Sequence, residues 1–358
     1  MKWGFESAGG EGGPATGEMN SLQMAGEGNP FPAEEKVLKG LFTRLSILVS
    51  RRTFLGRMAA GIAFFAAGGL PKVVWPTRGS DKGSVRLVFY TDVHARTEWD
   101  TPSAMERAAR AINARQADLV LAGGDLITEG FESSSAAVVP RWDAYMEMHR
   151  RIKADIYPAI GNHDLVAAIP NDGTPPAADP RAVFRTRMEL DRTTYSFDAV
   201  GYHFIMLDAI RVTGDETPFE GRIGEDELEW LNRDLSRLPR NTPIVIVTHI
   251  PLLTAFYSAT RGATVAPGKN RIVVNNRDVL KLINSHHVIL VLQGHLHVKE
   301  SLRWQNTTYI TGGAVSGKWW RGPLYGTEEG FNVITLTDDH IGWEYIDYGW
   351  QARRPKRR

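Results

Sequence analysis

The sequence contains no cysteine among its 358 residues. Disulfides, thiolate zinc sites and cysteine nucleophiles are therefore excluded. A bound metal would have to be held by His, Asp, Glu or Asn, and such ligands suit Mn, Fe, Zn or Mg. An excess of charge of one sign is also lacking, because 42 Lys and Arg residues balance 41 Asp and Glu residues. A nucleic-acid binder needs a basic face, so no specific nucleic-acid partner is predicted.

A confident membrane span is missing from the first part of the chain. The uncharged run 58–71 is shorter than the roughly 20 residues that a helix needs to cross a bilayer. It follows Arg51 and Arg52 in the stretch SRRTFLG, which resembles a twin-arginine export signal. The resemblance implies the twin-arginine machinery as a partner and an exported, periplasmic or extracytoplasmic protein. A short helix in a basic linker is the alternative, and an uncleaved run 58–71 would leave the chain associated with a membrane.

Composition divides the chain into five segments. A Gly-, Glu-, Ala- and Pro-rich opening predicts disorder, and the basic end predicts a solvated tail. The predicted segments are a disordered extension over 1–49, the signal over 50–71, a linker over 72–84, one folded domain over 85–348 and the tail over 349–358.

Apolar runs alternate with helical patterns throughout the folded domain. Short buried strands are predicted at 85–92, 117–125, 154–164, 202–209, 242–249 and 287–295. Helices are predicted at 101–116, 139–154, 225–238 and 275–285. This alternation predicts an α/β domain with largely parallel pairing in its first half. Consecutive antiparallel strands, and with them a mixed second sheet, are predicted at 301–313, 330–339 and 341–350.

Five of the six apolar runs end in side chains that suit a metal. Ligands bind outside the carboxyl ends of the strands in α/β sheets, so residues far apart in the chain converge there. The residues at these ends are Asp92 and His94 (TDVH), Asp125 (GGD), Asn162, His163 and Asp164 (GNHD), His249 (VTH), and His295 and His297 (GHLH).

The order D-x-H, G-D, G-N-H-D, H and G-H-x-H resembles the calcineurin-like metallophosphoesterase superfamily. The resemblance implies a four-layer α/β/β/α sandwich with two mixed β-sheets, and a centre of two metal ions, Fe, Mn or Zn. It also implies the ligands by motif position. The first metal would be held by Asp92, His94 and His297, the second by Asn162, His249 and His295, and Asp125 would bridge them with one carboxylate oxygen per metal.

The implied chemistry is hydrolysis of a small-molecule phosphate ester. Two cations about 3.5–4 Å apart neutralise the ester and activate a hydroxide that attacks phosphorus. His163 is surplus to ligation, so it would face the leaving oxygen as an acid or charge stabiliser, with Asp164 orienting its ring.

The choice of substrate is less sharply defined by the motifs. The D-x-H form with GNHD looks like the bacterial cyclic-nucleotide phosphodiesterase branch, which favours a phosphodiesterase over a phosphomonoesterase of the same superfamily. Thr128 stands where purple acid phosphatases carry a tyrosine. In the segment GGAVSGKWWRGP, Trp319 and Trp320 would either stack on a base or sugar or pack under the second sheet. A non-catalytic exported metal-binding protein is the second alternative.

Overall fold

The structure is a computed structural model that describes residues 84–352. Residues 1–83 and 353–358 lie outside the described residues. The predicted extension and export signal, nearly all of the linker and most of the basic tail fall there. Within 84–352, no helix is long and apolar enough to cross a membrane.

The six predicted strands and four predicted helices are all present. All are shorter than predicted except the helix predicted at 139–154, which begins and ends earlier, at Ser135–Arg151. The strands are β1 Val85–Tyr90, β2 Leu119–Ala122, β3 Ile156–Pro158, β4 Tyr195–Ala199, β5 Tyr202–Leu207, β6 Ile210–Val212, β7 Phe219–Gly221, β8 Ile244–Thr248, β9 Val288–Gln293, β10 Lys299–Trp304, β11 Thr307–Gly312, β12 Gly330–Leu336 and β13 Ile341–Asp347. The helices are α1 Thr101–Asn113, α2 Ser135–Arg151, α3 Ala182–Met188, α4 Glu225–Ser236, α5 Phe256–Arg261 and α6 Asn276–Ile283.

Local sequence explains where the helices that cover the sheets begin. Helix α1 has Pro102 in its first turn, where a missing N–H costs nothing, and its buried residues recur every three or four positions. Helix α4 opens with three acidic residues at the positive end of its dipole. The Glu227 carboxylate also accepts a hydrogen bond of 3.0 Å from the backbone N–H of Gly224.

Two large sheets form the centre of the domain, and both are mixed. The first has the order β13-β12-β1-β2-β3, in which β1, β2 and β3 are parallel. The second has the order β10-β11-β9-β8-β5-β4, parallel from β11 to β5 and antiparallel at both edges. Strands β6 and β7 form a separate two-stranded sheet.

The last two strands depart from the prediction of a second sheet built from the tail. Strands β10 and β11 do join the second sheet, but β12 and β13 return to the first. Strand β12 pairs antiparallel with β1 from Val85–Leu336 to Phe89–Asn332. This pairing covers the free edge of β1, whose backbone donors and acceptors would otherwise stay unpaired.

Alternation of side chains along the strands produces the four layers. In β1, Leu87 and Phe89 lie in an apolar cluster with residues of the second sheet, whereas Val88 and Tyr90 pack with residues of α1 and α2. On the second sheet, alternate residues pack with α4 and α6 in the same way. Each fully buried side chain of this size contributes about 1.5–3 kcal/mol. The predicted α/β/β/α sandwich with two mixed sheets is confirmed.

Candidate metal centre

The carboxyl ends of strands from both sheets meet at one place. The backbone N–H of Asp92, after β1, donates to the carbonyl of Gly124, after β2, at 2.9 Å. In the second sheet the N–H of Gly294 donates to the carbonyl of His249 at 2.9 Å. The N–H of His295 then donates to Oδ2 of Asp92 at 2.9 Å and joins the two sheets. The predicted convergence of strand ends is therefore present.

The backbone leaves the strand direction abruptly at these ends. Five of the candidate ligands have a left-handed backbone, a conformation that costs about 1–3 kcal/mol where the surrounding structure imposes it. Their φ angles are 55° for Asp92, 45° for His94, 52° for Asp125, 71° for His295 and 57° for His297. Asp and His tolerate this region better than most residues, and strain of this kind concentrates at functional sites.

One group of candidate ligands consists of Asp92, His94 and His297, and all three are buried. Nδ1 of His297 donates to the carbonyl of Gly317 at 2.5 Å, so the neutral ring has its lone pair on Nε2. That nitrogen lies 3.1 Å from Oδ1 of Asp92 and 3.0 Å from Nε2 of His94. Three potential ligand atoms therefore face a common point.

A second group consists of Asp125, His249 and His295, which are also buried. Nδ1 of His249 donates to the carbonyl of Gly123 at 2.8 Å, and Nε2 of His295 donates to that of Asn270 at 2.8 Å. The inner nitrogens of the two rings are 3.3 Å apart. Nε2 of His249 also lies 3.2 Å from Oδ2 of Asp125.

The donor sets of both groups fit metal ions. In the second group the outward N–H bonds leave two imidazole lone pairs and a carboxylate oxygen facing one another, which is unfavourable unless a cation or a proton lies between them. Oδ1 of Asn162 is a buried acceptor, and no residue within 84–352 donates a hydrogen bond to it. Such an acceptor is costly to bury without a partner. Imidazole and oxygen ligands of this kind suit Fe, Mn or Zn.

Electrostatics keep Asp92 and His94 in states that bind cations, whereas His249 would have to release a proton to bind one. Burial favours the neutral form of Asp92, but His297 and His249 outweigh it and hold its pKa well below the ordinary value. Burial lowers the pKa of His94 to about 4, so its ring is neutral at neutral pH. Burial would also lower the pKa of His249, yet the carboxylates of Asp125 and Asp92 raise it to about 9. Without a metal, a proton would occupy the position between His249 and Asp125.

Asp125 lies between the two groups. Its Oδ2 is 3.6 Å from Nε2 of His94 and 3.2 Å from Nε2 of His249. Its Oδ1 instead accepts the backbone N–H of His163 at 2.7 Å. A side chain on Gly161 would collide with Asp125. One carboxylate oxygen of Asp125 thus faces both groups, whereas one oxygen for each metal was predicted. The difference arises because the other oxygen accepts a backbone N–H of the G-N-H-D turn.

Asn162 lies in the short 3₁₀ turn Asn162–Asp164, and it is buried. Both of its neighbours lie close to Asp125, because His163 donates its backbone N–H to Oδ1 and a side chain on Gly161 would collide with Asp125. Its place beside Asp125 and its unpaired Oδ1 agree with a ligand, and that role stays a prediction.

His163 lies at the rim of the centre and is only partly buried. Its ring stands edge-on to the ring of His94, with centroids 4.8 Å apart. Its Nδ1 accepts the backbone N–H of Glu129 at 3.1 Å. The neutral ring therefore carries its proton on Nε2, which makes that nitrogen a hydrogen-bond donor.

Asp164 requires a correction. It was predicted to orient the ring of His163, but both of its oxygens bind backbone N–H groups. Oδ1 accepts from Leu126 at 2.7 Å and Ile127 at 3.2 Å, and Oδ2 accepts from Gly161 at 2.9 Å. Burial and the charge of Asp125 raise its pKa to about 8. Asp164 ties the loop after Asp125 to the G-N-H-D turn, and the backbone of Glu129 makes the contact with the His163 ring.

The segment after β11 supports the centre through contacts that the sequence did not reveal. The carbonyl of Asp92 accepts hydrogen bonds from the N–H and the Oγ–H of Ser316, at 3.2 and 2.8 Å. Nε1 of Trp320 donates to the carbonyl of His94 at 3.0 Å. Trp320 is buried, whereas its neighbour Trp319 is 36% exposed. Packing therefore explains Trp320 but leaves Trp319 to be explained.

The sequence of the folded domain is similar to sequences of known proteins. Residues 85–299 match the family model described as calcineurin-like phosphoesterase. The chain is 26% identical over 167 residues to purple acid phosphatase 15 of Arabidopsis thaliana, a stretch that is 45% of this chain and 28% of that protein. The chain therefore matches less than a third of the length of this relative.

Two solved structures share the fold at low identity. A dimetal phosphatase from Danio rerio has a TM-score of 0.56 at 16% identity, covering 73% of this chain and 95% of that one. GAP50 of Plasmodium, described as the anchor in the inner membrane complex, has a TM-score of 0.50 at 16% identity, covering 74% and 85%. These likenesses concern the fold alone. Because the family model matches more than half of its residues, the chain belongs to the calcineurin-like phosphoesterase family.

Proposed function

We propose that the protein is a metal-dependent phosphoric ester hydrolase that binds two metal ions, Fe, Mn or Zn, and cleaves small-molecule phosphodiesters. The observation that carries this proposal is the pair of buried ligand groups that share Oδ2 of Asp125. The family assignment supports the same reaction class.

The residues of the centre have distinct roles in this reaction. Bound metal ions would neutralise the ester and act as Lewis acids toward it and toward water. Asp125 would serve both ions; the first would be held by Asp92, His94 and His297, and the second by Asn162, His249 and His295. The carbonyls of Gly123, Asn270 and Gly317 orient three of the histidine rings. His163 would offer its Nε2–H to the leaving oxygen as a hydrogen-bond donor and so stabilise the negative charge that develops there.

A phosphomonoesterase is the second candidate. The D-x-H and G-N-H-D motifs favour the diesterase, while the likeness to purple acid phosphatase 15 favours a phosphatase. Thr128 is buried three positions after Asp125, where purple acid phosphatases carry a tyrosine. The chain therefore lacks the side chain expected of an iron–tyrosinate centre.

The third candidate is a non-catalytic exported metal-binding protein. GAP50, which shares the fold, is described as an anchor. A protein that had lost catalysis would be free to lose a metal ligand or His163. In this chain the candidate ligands of both groups and His163 are all present, which favours an enzyme.

The assay compares bis(4-nitrophenyl) phosphate with 4-nitrophenyl phosphate before chelation, after chelation, and after addition of Mn, Fe or Zn. We expect turnover to be lost on chelation and restored by at least one metal, with faster cleavage of the diester. Faster cleavage of the monoester would select the second candidate. Tight metal binding with no turnover of either ester would select the non-catalytic protein.

We also propose that the folded protein is exported by the twin-arginine route. The support is the stretch SRRTFLG before the uncharged run 58–71, which lies outside the described residues. Changing Arg51 and Arg52 together to Lys is expected to leave most of the protein in the cytoplasm, as measured by cell fractionation. Normal arrival outside the cytoplasm would instead indicate a Sec-type signal or an anchor, with the enzyme assignment unaffected.

A further inference from the structure

Trp319 is an exposed aromatic side chain at the edge of the metal centre. Its ring lies 4.4 Å from the ring of His297, tilted by 34°, and 6.0 Å from the ring of His94. The apolar clusters of the described domain do not include it, although they include its neighbour Trp320. One side of the indole therefore covers the candidate ligand His297, while 36% of the side chain remains open to solvent.

The backbone holds Trp319 in this place against its local preference. Trp319 and Trp320 have φ angles of 48° and 64°, and a bulky residue with a positive φ is unusual. The buried indole of Trp320, bound to the carbonyl of His94, and the hydrogen bond from the N–H of Trp320 to the carbonyl of Ser316 fix the turn. Such strain persists where surrounding contacts impose it, and it is concentrated at ligand-binding sites.

The surroundings of Trp319 suit one part of a phosphate ester. The ring of His94 contacts the rings of both Trp319 and His163, so a group leaving beside His163 lies close to the indole. Lys318 and Arg321, on either side of the two tryptophans, are exposed cations. A planar ring could therefore stack on the indole while its phosphate occupies the centre.

We infer that Trp319 is a specificity-determining residue that stacks on a planar aromatic ring, such as a nucleobase, carried by the ester. This inference rests on the proposed function, because it names the substrate class of the same site. Stacking of a base on an aromatic side chain strengthens binding by roughly 5- to 150-fold, so an effect of about tenfold is expected for a partly exposed indole.

The test measures binding rather than turnover. Calorimetry on the metal-loaded protein would use the phosphonate analogues of AMP and of ribose 5-phosphate, whose P–C bond is not hydrolysed. The wild type should bind the AMP analogue about tenfold more tightly than the ribose analogue. In Trp319→Leu this ratio should fall close to one with the affinity for the ribose analogue unchanged, and Trp319→Phe should keep most of the preference.

The matched control is Trp304→Leu, because Trp304 is 54% exposed at the end of β10 that is remote from His297. It should leave the ratio unchanged. Three outcomes would overturn the inference. They are an affinity ratio near one in the wild type, an unaltered ratio in Trp319→Leu, and equally weaker binding of both analogues accompanied by loss of metal. Failure of the proposed function would show separately, as absence of aryl ester turnover by the metal-loaded wild type.

Discussion

Replacing Asp125 with Asn is expected to lower kcat by about 10³-fold or more and to release metal from both ligand groups. Oδ2 of Asp125 faces His94 on one side and His249 on the other, so its charge serves both groups. The amide keeps the shape and can still accept the N–H of His163 on an oxygen. The loss would therefore come from the missing charge rather than from a collapsed turn.

Metal content by atomic emission and kcat on an aryl diester are the two measurements. The comparison variant is His295→Ala, which should weaken the second group and leave the first, Asp92, His94 and His297, largely loaded. Asp143→Asn is the matched surface control, since Asp143 is exposed on α2 and pairs with Arg187 at 2.9 Å. An Asp125→Asn protein that held both metals and turned over within tenfold of the wild type would refute the shared role.

Candidate ligands could be found from sequence because they follow apolar runs. Each run predicted a buried strand, and parallel strands of one sheet end at the same edge. The residues that follow these strands were therefore expected to lie close together. The contacts of these ligands with Gly123, Asn270 and Gly317 could not be found in this way. They are made by backbone carbonyls, which every residue possesses, so no residue type marks them.

Two further features could not be predicted from the sequence: which strands pair with each other across the chain, and where individual side chains point. The alternating pattern of β12 and β13 predicts strands, but it does not say which sheet they join. The G-N-H-D motif places Asp164 next to His163, but it does not indicate where the carboxylate of Asp164 points. The 3₁₀ turn points its carboxylate at the backbone of Leu126, Ile127 and Gly161, and this direction depends on a turn geometry that sequence spacing does not encode.

His163→Ala is expected to lower kcat by about 10²–10⁴-fold while leaving bound metal unchanged. The N–H of Glu129 binds Nδ1, so the neutral ring carries its proton on Nε2, and this ring lies beside the ring of His94 at the rim of the centre. A hydrogen-bond donor helps most when the departing oxygen carries much negative charge and is strongly basic. The loss should therefore be larger for an alkyl ester than for a 4-nitrophenyl ester, whose leaving group is stable as an anion.

This dependence on the leaving group distinguishes a residue that stabilises the leaving oxygen from a metal ligand. His163, His94 and Asp125 also lie close enough together to hold an ion, so ligation is the competing role. A ligand variant would lose metal and would lose activity toward both esters by a similar factor. His149→Ala is the matched control, because His149 lies on α2 and contacts Tyr145. Unchanged metal content, together with a loss that grows with the basicity of the leaving oxygen, would assign His163 as the residue that stabilises the charge on that oxygen.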